Sequence, residues 1–383
     1  MIITIIVTIL MFLIMVSLHE FGHFFVGKLL DFKILEYAIG FGPKIFSKKK
    51  GETQYSLRAV PLGGYCKFDG DDEASDDPRA FSKQAVWKRF LVVAAGGIMN
   101  VILGFVIFII VVSATSPMLT NTVDTVVEHS YIEDAGIKQG DKIIKINGKN
   151  ISFYDDITLY TNDFQKDGNA TVTVKRGKEK LDFDIKPTEQ IITYNYTDSG
   201  IEVTDSINGF ETKDFYEYSD EIAKNDELIG TTDSSTRYII GFTPMRENIT
   251  FANVWGQAWN EMRFVVKLVY QSLWQMVTGK VGVDQMSGPV GIVSEVNNAV
   301  NSGSRSWLYV LNLVGLLTIN LGVFNLLPIP ALDGGRLFFM IIELIRRKPI
   351  PPEKEGMVHA IGMMLLFALI IFVSFNDIMR LIK

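Results

Sequence analysis

The chain is short of cysteine, of histidine and, over long stretches, of charge. A single cysteine in 383 residues, Cys66, excludes an intrachain disulfide framework. Charged residues make up 21% against 48% hydrophobic, and whole helix-length stretches hold no Asp, Glu, Lys or Arg. No Lys or Arg occurs between Phe90 and Ile137. These absences exclude an ordinary soluble enzyme, a disordered chain and a fibrous repeat. No Lys or Arg precedes the N-terminal apolar run and no small-residue cleavage site follows it, so it is expected to be a retained span rather than a signal peptide.

What is present is a set of four charge-poor runs, each long enough for the ~20 apolar residues that cross a bilayer. They are Met1 to Leu18, continuing helically past His23; Phe90 to Met118; Trp307 to Leu327; and Gly356 to Phe375. The polar segment Leu119 to Val254 carries 14 Lys+Arg against 25 Asp+Glu, a local net charge of −11. The fold class expected is a polytopic α-helical membrane protein with four transmembrane helices and an inserted α+β domain. Its blocks are 1–30, the first span; 31–89, a β-loop; 90–118, the second span; 119–245, the polar domain; 246–305, an amphipathic helix and loop; 306–335, the third span; 336–355, a cytosolic loop; and 356–383, the fourth span.

Orientation follows from Lys and Arg in short flanking loops. Lys28, Lys33, Lys44, Lys48, Lys49, Lys50, Arg79, Lys83, Lys88 and Arg89 put the first loop in the cytosol and the acidic domain outside. Arg336, Arg346, Arg347 and Lys348 after the third span agree; Arg380 and Lys383 dissent.

Within the first span stands His19-Glu20-Phe21-Gly22-His23. Residues four apart share a helix face, so both imidazoles can hold one metal ion, with Glu20 beside it as a proton acceptor rather than a ligand. An ionisable trio in a bilayer is expensive and functional by default. The alternative is two packed histidines with Glu20 paired to a lysine. A catalytic zinc takes a third protein ligand. His129 falls in the polar domain, and His359, at the start of the fourth span, suits an interfacial structural role. Asn325-Leu326-Leu327-Pro328-Ile329-Pro330-Ala331-Leu332-Asp333-Gly334-Gly335 ends the third span, where two prolines and two glycines put Asp333 on irregular backbone. Alone, this segment reads as a helix stop. Topology places it at the same depth and on the same side as His19 and His23, which makes Asp333 the candidate third ligand.

With these motifs, and with the order span, loop, span, polar domain, span, span, the chain resembles the site-2 protease metalloproteases of the bacterial regulator-of-sigma-E type. The resemblance implies a Zn2+-dependent intramembrane endopeptidase of the bacterial cell membrane, with His19, His23 and Asp333 as ligands, Glu20 as catalytic base, and Asn325 helping to hold the substrate backbone. Its expected partners are the lipid bilayer and single-pass transmembrane substrates, such as anti-sigma factors or remnant signal peptides in regulated intramembrane proteolysis, and not nucleic acid.

Alternating segments at Lys33 to Ile39, Gln54 to Val60 and Gly64 to Phe68 read as a small sheet of hairpins. This sheet resembles the family's membrane-reentrant β-loop, which implies that its edge, with Gly63 and Gly64, receives the unwound substrate as an added strand. An ordinary cytosolic hairpin fits the same pattern. Cys66 reads as a buried structural thiol. In the polar domain, Val123 to Val127, the Gly140-Asp141 and Asn147-Gly148 turns, a helix near Tyr154 to Thr161, and strands at Ala170 to Lys175 and Lys180 to Ile185 resemble a circularly permuted bacterial PDZ domain. Its position, joined to the second and third spans on the outer side, points to an extracytoplasmic size filter; a PDZ domain would alternatively offer a pocket for a peptide tail. Over Thr188 to Thr243 a strand is expected at Tyr238 to Phe242 and a hairpin at Ile201 to Phe210; no calcium-loop spacing appears. Phe251 to Val277 is expected to be an amphipathic helix with Trp255 and Trp259 at the outer interface. Ser287-Gly288-Pro289-Val290-Gly291-Ile292 resembles a family loop near the substrate path, or is a connector. Two other classes fit less well: a non-proteolytic adaptor independent of Glu20, and a metal transporter, against which the lack of repeat symmetry counts.

Overall fold

The structure, a computed structural model, describes residues 2–71, 75–161, 164, 168–218, 228–280, 282, 288–303 and 305–382. They form two compact units, 1–111 with 261–383, and 112–260. Elements are numbered along the whole chain.

The first unit contains α1 (Ile2–Leu29), β1 (Ile34–Lys50), β2 (Thr53–Phe68) and most of α2 (Val86–Ala114). After the second unit come α6 (Pro289–Val300), α7 (Ser306–Leu326), α8 (Asp333–Arg346) and α9 (Pro352–Ile382). Four helices, α1, α2, α7 and α9, are long and apolar enough to cross a membrane, which matches the four expected spans. α1 stops where Asp31 takes φ 61° and the Phe32 N–H closes on the Gly27 carbonyl at 2.9 Å, an end that leaves few helix carbonyls unsatisfied. Beneath it a core of Phe32, Ile34, Phe68, Phe81, Val92, Leu337 and Met340 ties the β-loop to α2 and α8.

β1 and β2 each bend at mid-length and so supply four strand segments. Ile34–Ile39 pairs on one side with Gly64–Phe68, Tyr37 opposite Cys66, and on the other with Gln54–Leu57, Tyr37 opposite Tyr55. Lys44–Lys50 pairs with Thr53–Arg58. The order across the sheet is therefore 44–50, 53–60, 34–39, 64–68. The bends fall at Gly40 and Gly42, with φ 83° and 81°, and at Gly63, with φ 100°, conformations that side-chain-bearing residues avoid. Sequence reasoning finds three of the four segments and takes Lys48 to Gly51 as a separating turn; Lys44–Lys50 is a strand.

The segment 336–355, expected as a cytosolic loop, begins with most of α8, whose last residue is followed by Arg347 at φ 55°. The expected loop Ser287 to Ile292 is also corrected. Ser287 lies outside the described residues, and Pro289 onward is the first turn of α6. The carboxylate of Asp377, on α9 and almost fully buried, accepts the Gly288 and Gly291 N–H groups at 2.9 and 2.8 Å. It satisfies donors that a helix start leaves open and favours the helix dipole.

The second unit holds a sheet of order β12-β3-β4-β6-β7: β3 (Met118–Val126), β4 (Lys142–Ile146), β6 (Ala170–Arg176), β7 (Glu179–Ile185) and β12 (Phe242–Glu247), with β5 (Lys149–Asn150) on β4. α3 (Tyr131–Ala135) and α4 (Tyr154–Thr161) complete it. Alternating residues Val172 and Val174 of β6 point into a core with Val123, Ile132 and Ile240, joined by Ile143 and Ile146 of β4, where a register shift after Ile143 brings both to the same side. A second sheet, β10-β9-β8-β11, is formed by β8 (Thr188–Tyr196), β9 (Gly200–Ile207), β10 (Phe210–Glu217) and β11 (Thr232–Ile239). The expected hairpin exists, but its turn is Asn208-Gly209, both at positive φ, and its second strand runs on to Glu217. The single strand expected over Tyr238 to Phe242 is broken: Gly241, at φ 100°, separates β11 from β12. α5 (Val254–Val277) buries Val254, Ala258, Met262, Val265 and Val269 and exposes Trp255, Trp259, Tyr270 and Trp274. That is the two-faced helix expected.

Candidate metal centre

Helical spacing puts His19 and His23 of α1 on one face, both buried, with rings edge to face. Their Nε2 atoms lie 3.2 Å apart. Asp333 Oδ2 lies 3.1 Å from His19 Nε2 and 3.3 Å from His23 Nε2, and has no hydrogen-bond partner among the described residues. A tetrahedral zinc with bonds of about 2.0–2.1 Å has ligand-to-ligand edges of roughly 3.3–3.4 Å. The three donor atoms thus already form one face of such a tetrahedron, and among the described residues theirs is the one cluster able to hold a metal ion. Two imidazoles and a carboxylate fit zinc and leave a fourth position open.

The surroundings are built for this triangle. His23 Nδ1 lies 2.9 Å from the Val92 carbonyl of α2; donating its proton there leaves the Nε2 lone pair for the metal. α1 and α2 approach closely at Gly22, where a Cβ would sit 2.4 Å from the Ala95 carbonyl oxygen, and at Gly96, where it would sit 2.4 Å from His23 Nε2 and 2.7 Å from His19 Cε1. Asp333 opens α8, where the helix dipole favours a carboxylate. The turn before it is fixed by Gly334, whose Cβ position lies 1.8 Å from the Leu327 carbonyl oxygen, a space no side chain can enter. Ala331, at φ 78°, donates its N–H to His359 Nδ1 at 3.1 Å. His359 is therefore a support for the Asp333 turn, and His129, stacked on Phe210 at 3.8 Å, plays no part in the cluster.

Glu20 interacts electrostatically with His23, His19 and Asp333, and among the described residues no lysine pairs with it. Gly64 packs on it, with a Cβ position 3.3 Å from Glu20 Cγ, and the Cys66 main chain meets its carboxylate. Gly63 lies against the Phe41 ring, 2.1 Å from its Cβ position, one residue farther along the bend. Asn325 is buried in the last turn of α7, eight residues before Asp333. Gly96 and the supporting role of His359 were missed from sequence. The signal for the first was a Gly-Gly pair inside an apolar span.

Four apolar helices around two histidines and a carboxylate define a membrane protein of the metallopeptidase class. The sequence matches Peptidase family M50 over residues 7–369, and the chain belongs to that family, the site-2 proteases its motifs resemble. It is 35% identical over 377 residues to a protein of Clostridium acetobutylicum, covering 98% of this chain and 97% of the relative. It is 33% identical to one of Clostridium perfringens, covering 98% of each, and 30% identical to one of Agrobacterium fabrum, covering 98% and 95%. Each of the three is named a putative zinc metalloprotease.

Proposed function

We propose that the chain is a zinc-dependent intramembrane endopeptidase that hydrolyses peptide bonds in transmembrane segments of single-pass membrane proteins. The observation that carries this reading is the triangle of His19 Nε2, His23 Nε2 and Asp333 Oδ2 with Glu20 beside it, both histidines standing on a helix long enough to span a bilayer. His19, His23 and Asp333 hold the metal, which when bound polarises the scissile carbonyl and the attacking water. Glu20 accepts a proton from that water and passes it to the leaving amine. A transmembrane helix hides its carbonyls in hydrogen bonds, so the substrate must unwind locally. The β-loop supports that step: Phe41, Ile45, Phe46, Leu57 and Val60 are exposed, as befits a loop entering lipid, while Gly64 borders Glu20. Asn325, buried in the α7 end that leads to Asp333, is the proposed hold on the substrate backbone.

The Lys and Arg distribution supports a cytosol-side active site and an extracytoplasmic second unit. In that unit the strand order and α4 support a PDZ reading. A cavity of about 490 Å³ between Tyr154, Ile157 and Thr158 of α4 and Tyr238 to Pro244 supports a peptide tail as partner.

Purified Glu20→Gln should keep its zinc and lose cleavage of a model transmembrane substrate, whereas His23→Ala and Asp333→Ala should lose both. Near wild-type cleavage by Glu20→Gln would refute the protease reading. A membrane proteome of cells carrying Glu20→Gln identifies the substrate as a single-pass protein that accumulates.

A further inference from the structure

We propose that Asn100 of α2 is a positioning residue for the metal centre, accepting the Nδ1 proton of His19 through its side-chain carbonyl. The proposal rests on His19 being a ligand, as argued above. Asn100 is fully buried inside an apolar span, where an unsatisfied amide is costly and a side chain of this type needs a reason. Its amide nitrogen lies 3.4 Å from His19 Nδ1, and its Oδ1 has no hydrogen-bond partner among the described residues.

The chemistry of ligation decides which way the amide faces. An imidazole that gives its Nε2 lone pair to a metal while neutral carries its proton on Nδ1, so His19 Nδ1 is a donor. A donor cannot be met by an NH2 group. The oxygen and nitrogen of an asparagine amide are assigned from their partners, and the ligated state requires Oδ1 on the His19 side. In that orientation a buried orphan oxygen becomes the acceptor that fixes the His19 tautomer.

The placement repeats along one face of α2. Val92, Gly96 and Asn100 are spaced four and four, so they share a stripe. The Val92 carbonyl meets His23 Nδ1, Gly96 lies under both rings, and Asn100 meets His19 Nδ1. The stripe runs antiparallel to His19 and His23 on α1, and each outer ring nitrogen has a contact from it. A backbone carbonyl meets one histidine and a side chain meets the other.

The test compares zinc affinity, by chelator competition on detergent-purified full-length protein, for Asn100→Asp and Asn100→Leu, with thermal unfolding of the metal-stripped forms alongside. Aspartate is isosteric and accepts only. It should hold zinc within threefold of wild type, whereas leucine should lose tenfold to a hundredfold, the usual range for outer partners of metal ligands. The metal-stripped proteins should unfold together with wild type. A tenfold or greater loss in Asn100→Asp would overturn the acceptor role even if leucine does not fold, and wild-type affinity in Asn100→Leu would overturn positioning altogether. His23→Ala, run in parallel, separates this from the parent reading: if it keeps its zinc, the metal centre itself is wrong.

Discussion

Gly96→Ala tests how tightly α2 closes on the metal centre. The added methyl carbon would lie 2.4 Å from His23 Nε2, 2.5 Å from His23 Cε1 and 2.7 Å from His19 Cε1. Non-bonded heavy atoms rest at about 3.5–4.0 Å, so roughly 1 Å of movement is required, and there are two ways to supply it. The rings can give way, but metal–ligand distances tolerate only about 0.2 Å, and a 1 Å shift breaks the triangle. Alternatively α2 can retreat, which lengthens the 2.9 Å contact from His23 Nδ1 to the Val92 carbonyl beyond any hydrogen bond. Either route should lower zinc affinity by about a hundredfold, some 2.8 kcal/mol. Gly104→Ala is the comparison: its methyl would meet Ile319 Cγ1 at 2.3 Å, crowding α2 and α7 without touching a histidine. It should cost about 1–3 kcal/mol of stability and leave zinc affinity within threefold. Chelator competition on both purified variants gives the answer, and zinc binding by Gly96→Ala within threefold of wild type would refute the reasoning.

In the second unit, Asp141 is fully buried and takes two contacts from Arg176, at 2.8 and 2.7 Å, and the Lys138 N–H at 2.9 Å. Burial pushes its carboxyl up, but the Arg176 guanidinium and the Lys138 N–H outweigh that and hold it below the usual carboxylate range. Stability from this group is then complete above the unfolded value of ~3.9 and is lost as pH falls through the lower folded value. Because Arg176 is 36% exposed, screening trims the contribution to about 1 kcal/mol or less. Asp141→Asn should flatten the acid side of the unfolding curve by that amount in circular dichroism; an unchanged acid side removes the pair from the account. Sidedness is tested by cysteine labelling. Burial pushes the Cys66 thiol well up, so its silence toward a maleimide says nothing of its side; Lys49→Cys and Asn169→Cys, both at exposed positions, serve instead. A membrane-impermeant maleimide should label Asn169→Cys in intact cells and Lys49→Cys only after permeabilisation, and the reverse pattern inverts the topology.

The spans and the pairing of His19 with His23 were legible because each depends on local pattern. A charge-free run of helical length has one economical reading, and histidines four apart share a face whatever surrounds them. Asp333 was legible for a different reason: topology gave it the right depth, and Pro328, Pro330 and Gly334 marked a turn. What stayed hidden depends on packing between elements remote in sequence. Asp377 is one acidic residue near the end of an apolar run, and only the fold shows that it meets Gly288 and Gly291, 89 and 86 residues away. The strand Lys44–Lys50 was hidden by the lysines at its end, Lys48 to Lys50, which with Gly51 read as a polar turn. Asn208-Gly209 was the opposite case, a strong hairpin signal lying inside the hairpin expected over Ile201 to Phe210.

Those lysines bear on which edge of the β-loop sheet is open to pairing. The β-loop sheet has two outer segments, 44–50 and 64–68, and an open edge can pair with any extended chain. Lys44, Lys48, Lys49 and Lys50 lie along the first and are exposed, the usual protection against unwanted pairing. The second edge has Lys67 alone and is placed differently: Gly64 packs on Glu20 and the Cys66 main chain meets its carboxylate. In the antiparallel register, Tyr37 faces Cys66 and Ile39 faces Gly64 across the inner side, which leaves the other side of 64–68 without a strand partner among the described residues. The 64–68 segment is the one in contact with Glu20, whereas the lysine edge lies across the width of the sheet from it. The sheet thus favours one edge by position and disfavours the other by charge, and the bend at Gly63, which starts the favoured edge, is set by a conformation that side-chain-bearing residues avoid.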